Sequence, residues 1–257
     1  MPTWFGPAAL DGLLLGLFMV AAGTFGTWLE GPGSALRELL PDAFVRRALM
    51  GLLMGATAVA LIYSPLGQRS GAHFNPATTL AFLRLGRIEP RVAAGYVLAQ
   101  FAGGALGLWV ASWWLTPGLA APDVHYVATL PGPWGRTAAF AAEVGMTFAL
   151  MSVVLRLSQS RRWNRCTGLV AGMFVALYIT FEAPVSGMSL NPARSFASAL
   201  LARDYTALWL YLTAPVLGMV LAAELFVRQA GLHAVLCAKL HHDNPHACVF
   251  RCNWGAH

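Results

Sequence analysis

Charge is what this chain has least of. Asp, Glu, Lys and Arg together make up 11% of its 257 residues, against 57% hydrophobic residues, and the mean hydropathy is +0.59. So little charge excludes the ordinary soluble globular classes and the disordered ones. The net charge of +6 is no nucleic-acid footprint, because the arginines punctuate apolar stretches instead of forming a basic face. Acids are equally sparse. No nucleophile–base constellation appears, Glu143 with His73 being the only pair an enzyme could use, so no catalytic activity is expected. Four cysteines, three of them near the C-terminus, do not make a secreted disulfide framework. No basic segment precedes the first apolar run, so that run reads as a span and not as a cleavable signal.

What the chain has in abundance is long apolar runs. Six are expected to cross a bilayer, over 8–28, 48–64, 92–115, 137–157, 167–181 and 205–227. Glycines recur four apart within them, as at Gly12/Gly16, Gly51/Gly55 and Gly168/Gly172, spacing that lets two helix backbones approach closely.

One stretch occurs twice. Ser70-Gly-Ala-His-Phe-Asn-Pro-Ala77 returns as Ser186-Gly-Met-Ser-Leu-Asn-Pro-Ala193. Pro is suited to the first turn of a helix and Asn to the cap before it. Asn75-Pro76-Ala77 and Asn191-Pro192-Ala193 are therefore expected to open helices over 76–83 and 192–201. Both are too short to span a bilayer. Half-helices at membrane depth are tolerated where they are buried in protein or line a wet cavity, and a symmetry-related pair points to a transport pathway near the midplane.

The repetition extends further. Tyr96-x-x-Ala99-Gln100-x-x-Gly103 is echoed by Tyr211-x-x-Ala214-Pro215-x-x-Gly218, and Asp11 by Glu143. The expected organisation is a first repeat at 1–115, a linker at 116–136, a second repeat at 137–228 and a His/Cys-rich tail at 229–257. Three spans per half force the second half to enter with opposite topology, giving an inverted repeat. Arg69, Arg84, Arg87, Arg91, Arg156, Arg161, Arg162 and Arg165 would lie on one side together with both termini. By the positive-inside rule that side is cytoplasmic, in a plasma or inner membrane. Arg37, Arg46 and Arg47 oppose the rule, offset by Glu30, Glu38 and Asp42.

Both Asn-Pro-Ala motifs, the Arg after the second, the Tyr-x-x-Ala-Gln of the third span and the intramembrane acids resemble the major intrinsic protein family, the aquaporins and aquaglyceroporins, over residues 8–227. The resemblance implies an all-α membrane fold of six transmembrane helices plus two re-entrant half-helices, a homotetramer with a pore in each subunit, and membrane lipids and small neutral solutes as partners. It further implies passive conduction of water or of small uncharged solutes such as glycerol, urea or neutral weak acids, without protons or ions. Two positive helix ends meeting at the midplane are the general device of such pores.

By the same resemblance Gly55, Ile179, Met188 and Arg194 form the outer constriction, Asp11 and Glu143 support the re-entrant loops, and His73 lines the cytoplasmic vestibule. Water-selective members carry an aromatic at the first constriction position and His at the second. Gly55 and Ile179 instead imply a wider, more apolar mouth, which Met188 could refill. Ser195, Ala199 and Tyr211 match the water-channel branch, whereas Leu212 replaces its Trp, so the permeant solute stays open. The alternative is a closed structural or junctional protein on the same fold, or a channel gated from its tail. There Cys237, His241, His242, His246, Cys248 and Cys252 fall within sixteen residues. Three pairs are four apart and would share helix faces, and their chemistry favours Zn²⁺ or Cu⁺.

Overall fold

The computed structural model describes residues 4–254. Its elements are α1 (Phe5–Glu30), α2 (Ala35–Leu39), α3 (Ala43–Tyr63), α4 (Pro65–Ser70), α5 (Pro76–Arg84), α6 (Pro90–Leu115), α7 (Gly135–Ser158), α8 (Thr167–Phe181), α9 (Ala183–Ser186), α10 (Pro192–Ala202) and α11 (Leu208–Ala230). Among the described residues, six segments are long and apolar enough to cross a membrane: α1, α3, α6, α7, α8 with the turn before it, and α11. Helices α5 and α10 are the two half-helices, about 14 and 17 Å long at 1.5 Å per residue.

Local chemistry sets the ends. Helix α3 begins five residues before the expected 48, because the Asp42 carboxylate accepts the backbone N–H groups of Phe44 at 2.7 Å and Val45 at 3.0 Å. Such a cap outweighs the polarity of Arg46 and Arg47 that follow it. The helix stops at Tyr63 because Ser64 precedes Pro65 and is pushed into extended backbone, with ψ at 157°. Ser64 then caps α4 through the N–H of Gly67 at 3.0 Å.

Three helix pairs carry the bundle: α1 with α6, α7 with α11, and α3 with α8. The first two pairs lie within the repeats and the third joins them. Each is seamed by small residues. A Cβ on Gly12 would strike the carbonyl of Ala99, and one on Gly103 the carbonyl of Gly12. On the seam between repeats a Cβ on Gly55 would sit 2.6 Å from the carbonyl of Gly172, and one on Gly172 2.6 Å from that of Gly55. In lipid there is little hydrophobic drive between helices, so such close backbone packing supplies the association. Each half-helix also crosses to the other repeat: α5 packs on α11 and α10 on α6. The repeats are therefore interlocked.

The arginine-rich segments gather at one end. Arg69 closes α4, Arg84 and Arg87 flank the turn after α5, and Arg161, Arg162 and Arg165 lie between α7 and α8. At the other end, two of the three arginines that opposed the charge rule are ion-paired, Arg37 with Asp123 at 2.6 Å and Arg46 with Glu30 at 3.0 Å, while Arg47 donates to the Thr180 carbonyl at 2.8 Å. The tail departs from expectation. After a single 3₁₀ turn at Leu232–Ala234, residues 235–254 form no helix. Cysteine and histidine pairs four apart therefore do not share helix faces. The segment lies across the arginine-rich end, where its backbone meets Gly71 and Arg87 and the side chain of Gln159.

Candidate functional site

The two repeated loops are built alike. In each, a glycine in left-handed backbone turns the chain, Gly71 at φ 93° and Gly187 at φ 80°. Positive φ then recurs at Ala72 and Phe74 in the first loop, and at Met188 and Leu190 in the second. A side-chain-bearing residue held this way costs on the order of 1–3 kcal/mol, so something must hold the loops.

The acids do this. Asp11, fully buried, accepts from the Ser70 hydroxyl at 2.9 Å, the N–H of His73 at 3.1 Å, the N–H of Phe74 at 2.8 Å and the amide of Gln100 at 2.7 Å. Glu143, also fully buried, accepts from the Ser186 hydroxyl at 2.8 Å and the N–H groups of Ser189 at 2.6 Å and Leu190 at 2.9 Å. Tyr96 and Tyr211 complete the equivalence by donating to the carbonyls of Ser70 and Ser186, at 2.7 and 2.6 Å. Hydrogen bonds to a charged acceptor contribute about 1.5–3 kcal/mol each, enough to offset the backbone strain.

Each loop delivers its asparagine to the N-terminus of a half-helix. The Asn75 side-chain oxygen accepts the N–H of Ala77 at 2.9 Å. The Asn191 oxygen accepts those of Ala193 at 3.0 Å and Arg194 at 3.2 Å. The amide nitrogens cross between repeats: Asn75 donates to the Leu190 carbonyl at 2.9 Å and Asn191 to the Phe74 carbonyl at 2.8 Å. An amide carries two N–H bonds, so each asparagine keeps one for a visitor.

Beside these groups runs a cavity of about 380 Å³. Its wall begins at Glu30, Arg47 and Asp123, passes Arg194, Asn191 and Asn75, and reaches Ile62, Val154 and Leu240 at the opposite end. Most of the lining is apolar, so the half-helix ends and Arg194 are the principal polar features midway.

The expected constriction residues separate. Ile179, Met188 and Arg194 line the cavity, but Gly55 does not. It sits in the α3–α8 seam, against the Gly172 carbonyl and Ala176. On α3 the passage is faced by Ala43, Arg47, Met50, Met54, Ala58 and Ile62. Methionine side chains therefore line the passage on the helix where the resemblance implied a glycine gap. Thr129 was not anticipated either. It comes from the linker, which carries no motif, and its hydroxyl accepts a hydrogen bond from the Arg194 guanidinium. The same hydroxyl meets Ser195 at 2.8 Å, and Ser195 meets Ser189 at 2.6 Å. This hydroxyl chain fixes the guanidinium against the cavity wall.

His73 reaches the cavity wall at the arginine-rich end but is tightly held. One ring nitrogen lies 3.1 Å from the Thr79 hydroxyl and the other 2.7 Å from the Ala238 carbonyl. Its ring is stacked between Phe82 and Phe250, at 5.3 and 5.2 Å between centroids. Of the six tail residues singled out, Cys237, His242, Cys248 and Cys252 converge. His246 stays outside the cluster, and His241 instead packs edge-on against Tyr63.

Known proteins fit this geometry. A family profile described as major intrinsic protein matches residues 18–226. Aquaporin NIP1-1 of Zea mays is 34% identical over 202 residues, covering 78% of this chain and 70% of that protein. Aquaporin NIP1-2 of Arabidopsis thaliana is 36% identical over 190 residues, covering 71% and 63%. The solved aquaglyceroporin of Plasmodium falciparum superposes with a TM-score of 0.72 at 18% identity, over 89% of this chain and 97% of that one. With its paired Asn-Pro-Ala half-helices and the passage beside them, the chain belongs to the major intrinsic protein family of membrane channels for water and small solutes.

Proposed function

We propose that this channel passes water and small neutral solutes that present one hydrogen-bonding edge and one apolar face, glycerol and undissociated weak acids among them, and that it rejects protons and ions. The observation that carries the reading is the make-up of the cavity wall near Arg194. The guanidinium and the asparagine N–H groups are donors, whereas Ile179, Met188, Met50 and Met54 offer only apolar surface. A solute crossing there gains hydrogen bonds on one side and dispersion contact on the other. Water alone would leave the apolar wall unused, and methionine adapts its shape to a larger guest.

Exclusion follows from charge. Both half-helix N-termini carry partial positive charge, and Arg194, facing the passage, adds a full one. A cation meets repulsion at two successive levels. Each spare asparagine N–H donates to the oxygen of a passing molecule, which turns donors of neighbouring waters away from each other and interrupts proton relay. The cytoplasmic side is assigned to the arginine-rich end and the tail, and the unit is assigned as a homotetramer. Apolar side chains exposed on α6 and α8, such as Leu98, Leu106, Leu169 and Met173, are available to neighbouring subunits and lipid.

Stopped-flow swelling of proteoliposomes in water, glycerol and urea gradients tests this. The reading requires water and glycerol rates above those of empty vesicles. Water transport without glycerol would remove the amphipathic-wall argument, and no transport at all, with or without a metal chelator, would favour a closed structural role.

A further inference from the structure

We propose that Cys237, His242, Cys248 and Cys252 bind one zinc ion, and that this ion clasps the tail over the cytoplasmic mouth as a stopper. The clasp half rests on the channel reading above; the metal half does not.

The ligand atoms are already gathered. All four lie within 4.8 Å of one another, with the Sγ atoms of Cys237 and Cys248 3.3 Å apart and His242 Nε2 3.1 Å from the Sγ of Cys252. Zn–S bonds of about 2.3 Å put tetrahedral thiolates roughly 3.8 Å apart, so small adjustments admit the ion. Three thiolates and an imidazole form a closed set, as structural zinc sites have.

Backbone geometry supports the same chemistry. The N–H of Lys239 donates to the Sγ of Cys237 and that of Trp254 to the Sγ of Cys252, each at 3.5 Å. In both cases the donor is two residues beyond the cysteine. Amides aimed at sulfur stabilise thiolate and orient it.

Lys239, the only lysine in the chain, gives an independent pointer. It is 1% exposed, yet among the described residues its ammonium contacts only neutral acceptors, Asn244 Oδ1 at 3.2 Å and the His246 carbonyl at 2.8 Å. These belong to the loop between ligands His242 and Cys248. A buried cation calls for a nearby anion. Zn²⁺ binding three cysteine thiols and one neutral histidine releases three protons and leaves a centre of charge −1, which supplies that anion.

The ligands bracket the residues that close the mouth. Between Cys237 and His242, the Ala238 carbonyl meets His73, the N–H of Leu240 donates to the Gly71 carbonyl at 3.2 Å, and Leu240 forms the cavity's end wall. Between Cys248 and Cys252, Phe250 stacks on His73 with rings 2° from parallel and packs so closely on Gly71 that a Cβ there would collide with it. Outer ties anchor the flap through Arg251–Glu89 and Arg165–Asp243. Without the ion, Val235, Ala238, Leu240 and Phe250 still pack in the core, but the two loops that carry Leu240 and Phe250 lose the tie that joins them.

Full-length protein, purified under reductant and equilibrated with zinc, should hold one zinc per chain by elemental analysis. Cobalt exchanged into it should show the strong visible absorption of a tetrahedral thiolate site. Cys248→Ser and Cys252→Ser should lose the metal, whereas His246→Ala should keep it. Endoproteinase Lys-C, which can cut only after Lys239, should leave the zinc form intact and cleave at least tenfold faster after chelation, a readout independent of transport and of either cysteine variant's folding. Proteoliposomes should conduct several-fold faster after the same chelation. Zinc-free wild-type protein, copper(I) bound in preference to zinc, a Cys237–Cys248 disulfide under reductant, or zinc retained by both cysteine variants overturns the metal site. Unchanged Lys-C cleavage or unchanged permeability on chelation overturns the clasp. Vesicles that conduct in neither state refute the channel reading, while metal content and cleavage still decide the site.

Discussion

Asn75 and Leu190, 115 residues apart in the chain, are joined by a 2.9 Å hydrogen bond from the asparagine amide to the leucine carbonyl, and Asn191 returns the bond to Phe74 at 2.8 Å. Each half-helix cap is thereby positioned by the other repeat's loop. Neither loop can shift without moving its partner's asparagine. The waist of the channel is one cross-braced unit, and its spare N–H groups are presented to the passage at fixed positions.

Loss of a loop anchor should therefore be felt at the waist. Glu143→Gln replaces a charged acceptor of three hydrogen bonds with an amide whose N–H₂ faces backbone donors. We expect a loss of about 3 kcal/mol of stability, read as a lower melting temperature in detergent, and a water rate reduced several-fold. A melting curve like wild type would show that the loop holds itself.

The α3–α8 seam and the passage make opposite demands on neighbouring residues. Gly55→Leu would push into the Gly172 carbonyl, so it should lower expression and thermal stability. Met54→Phe should leave the fold intact and reduce glycerol flux more than water flux. The outcome that contradicts this assignment is a folded Gly55→Leu channel with narrowed selectivity.

Arg194 is held by Thr129, which in turn meets Ser195. Arg194→Val should admit small cations, measured as ionic current in planar bilayers, while water flux stays within about twofold. Thr129→Val should leave the charge in place but free the guanidinium, lowering glycerol flux with no ionic current. Cation leakage through Thr129→Val would place the exclusion in the hydroxyl chain instead of the charge.

Much of this was legible in the residues. A duplicated Asn-Pro-Ala has few other physical uses inside apolar sequence, and the glycine spacing marked the seams. The failures were of register and of company. The resemblance assigns Gly55 to the constriction, but helix α3 stops at Tyr63 before Ser64–Pro65, and a motif beyond such a break does not say which side of α3 faces the passage. Thr129 comes from a linker without periodicity, so only the fold reveals that it touches Arg194. In the tail, four-residue spacing suggested helix faces, whereas proximity of the four ligand atoms arises from an irregular chain tied down by Gln159, Gly71 and Arg87.

The central claim is that two opposed helix ends select by charge while the lane beside them stays open to neutral molecules. Proteoliposomes loaded with a pH-sensitive dye and followed by light scattering report water and proton movement in the same shot. Chelated protein should give osmotic water flux well above empty vesicles with proton flux no greater than theirs. Water flux at the empty-vesicle level, or water accompanied by protons, would contradict the account.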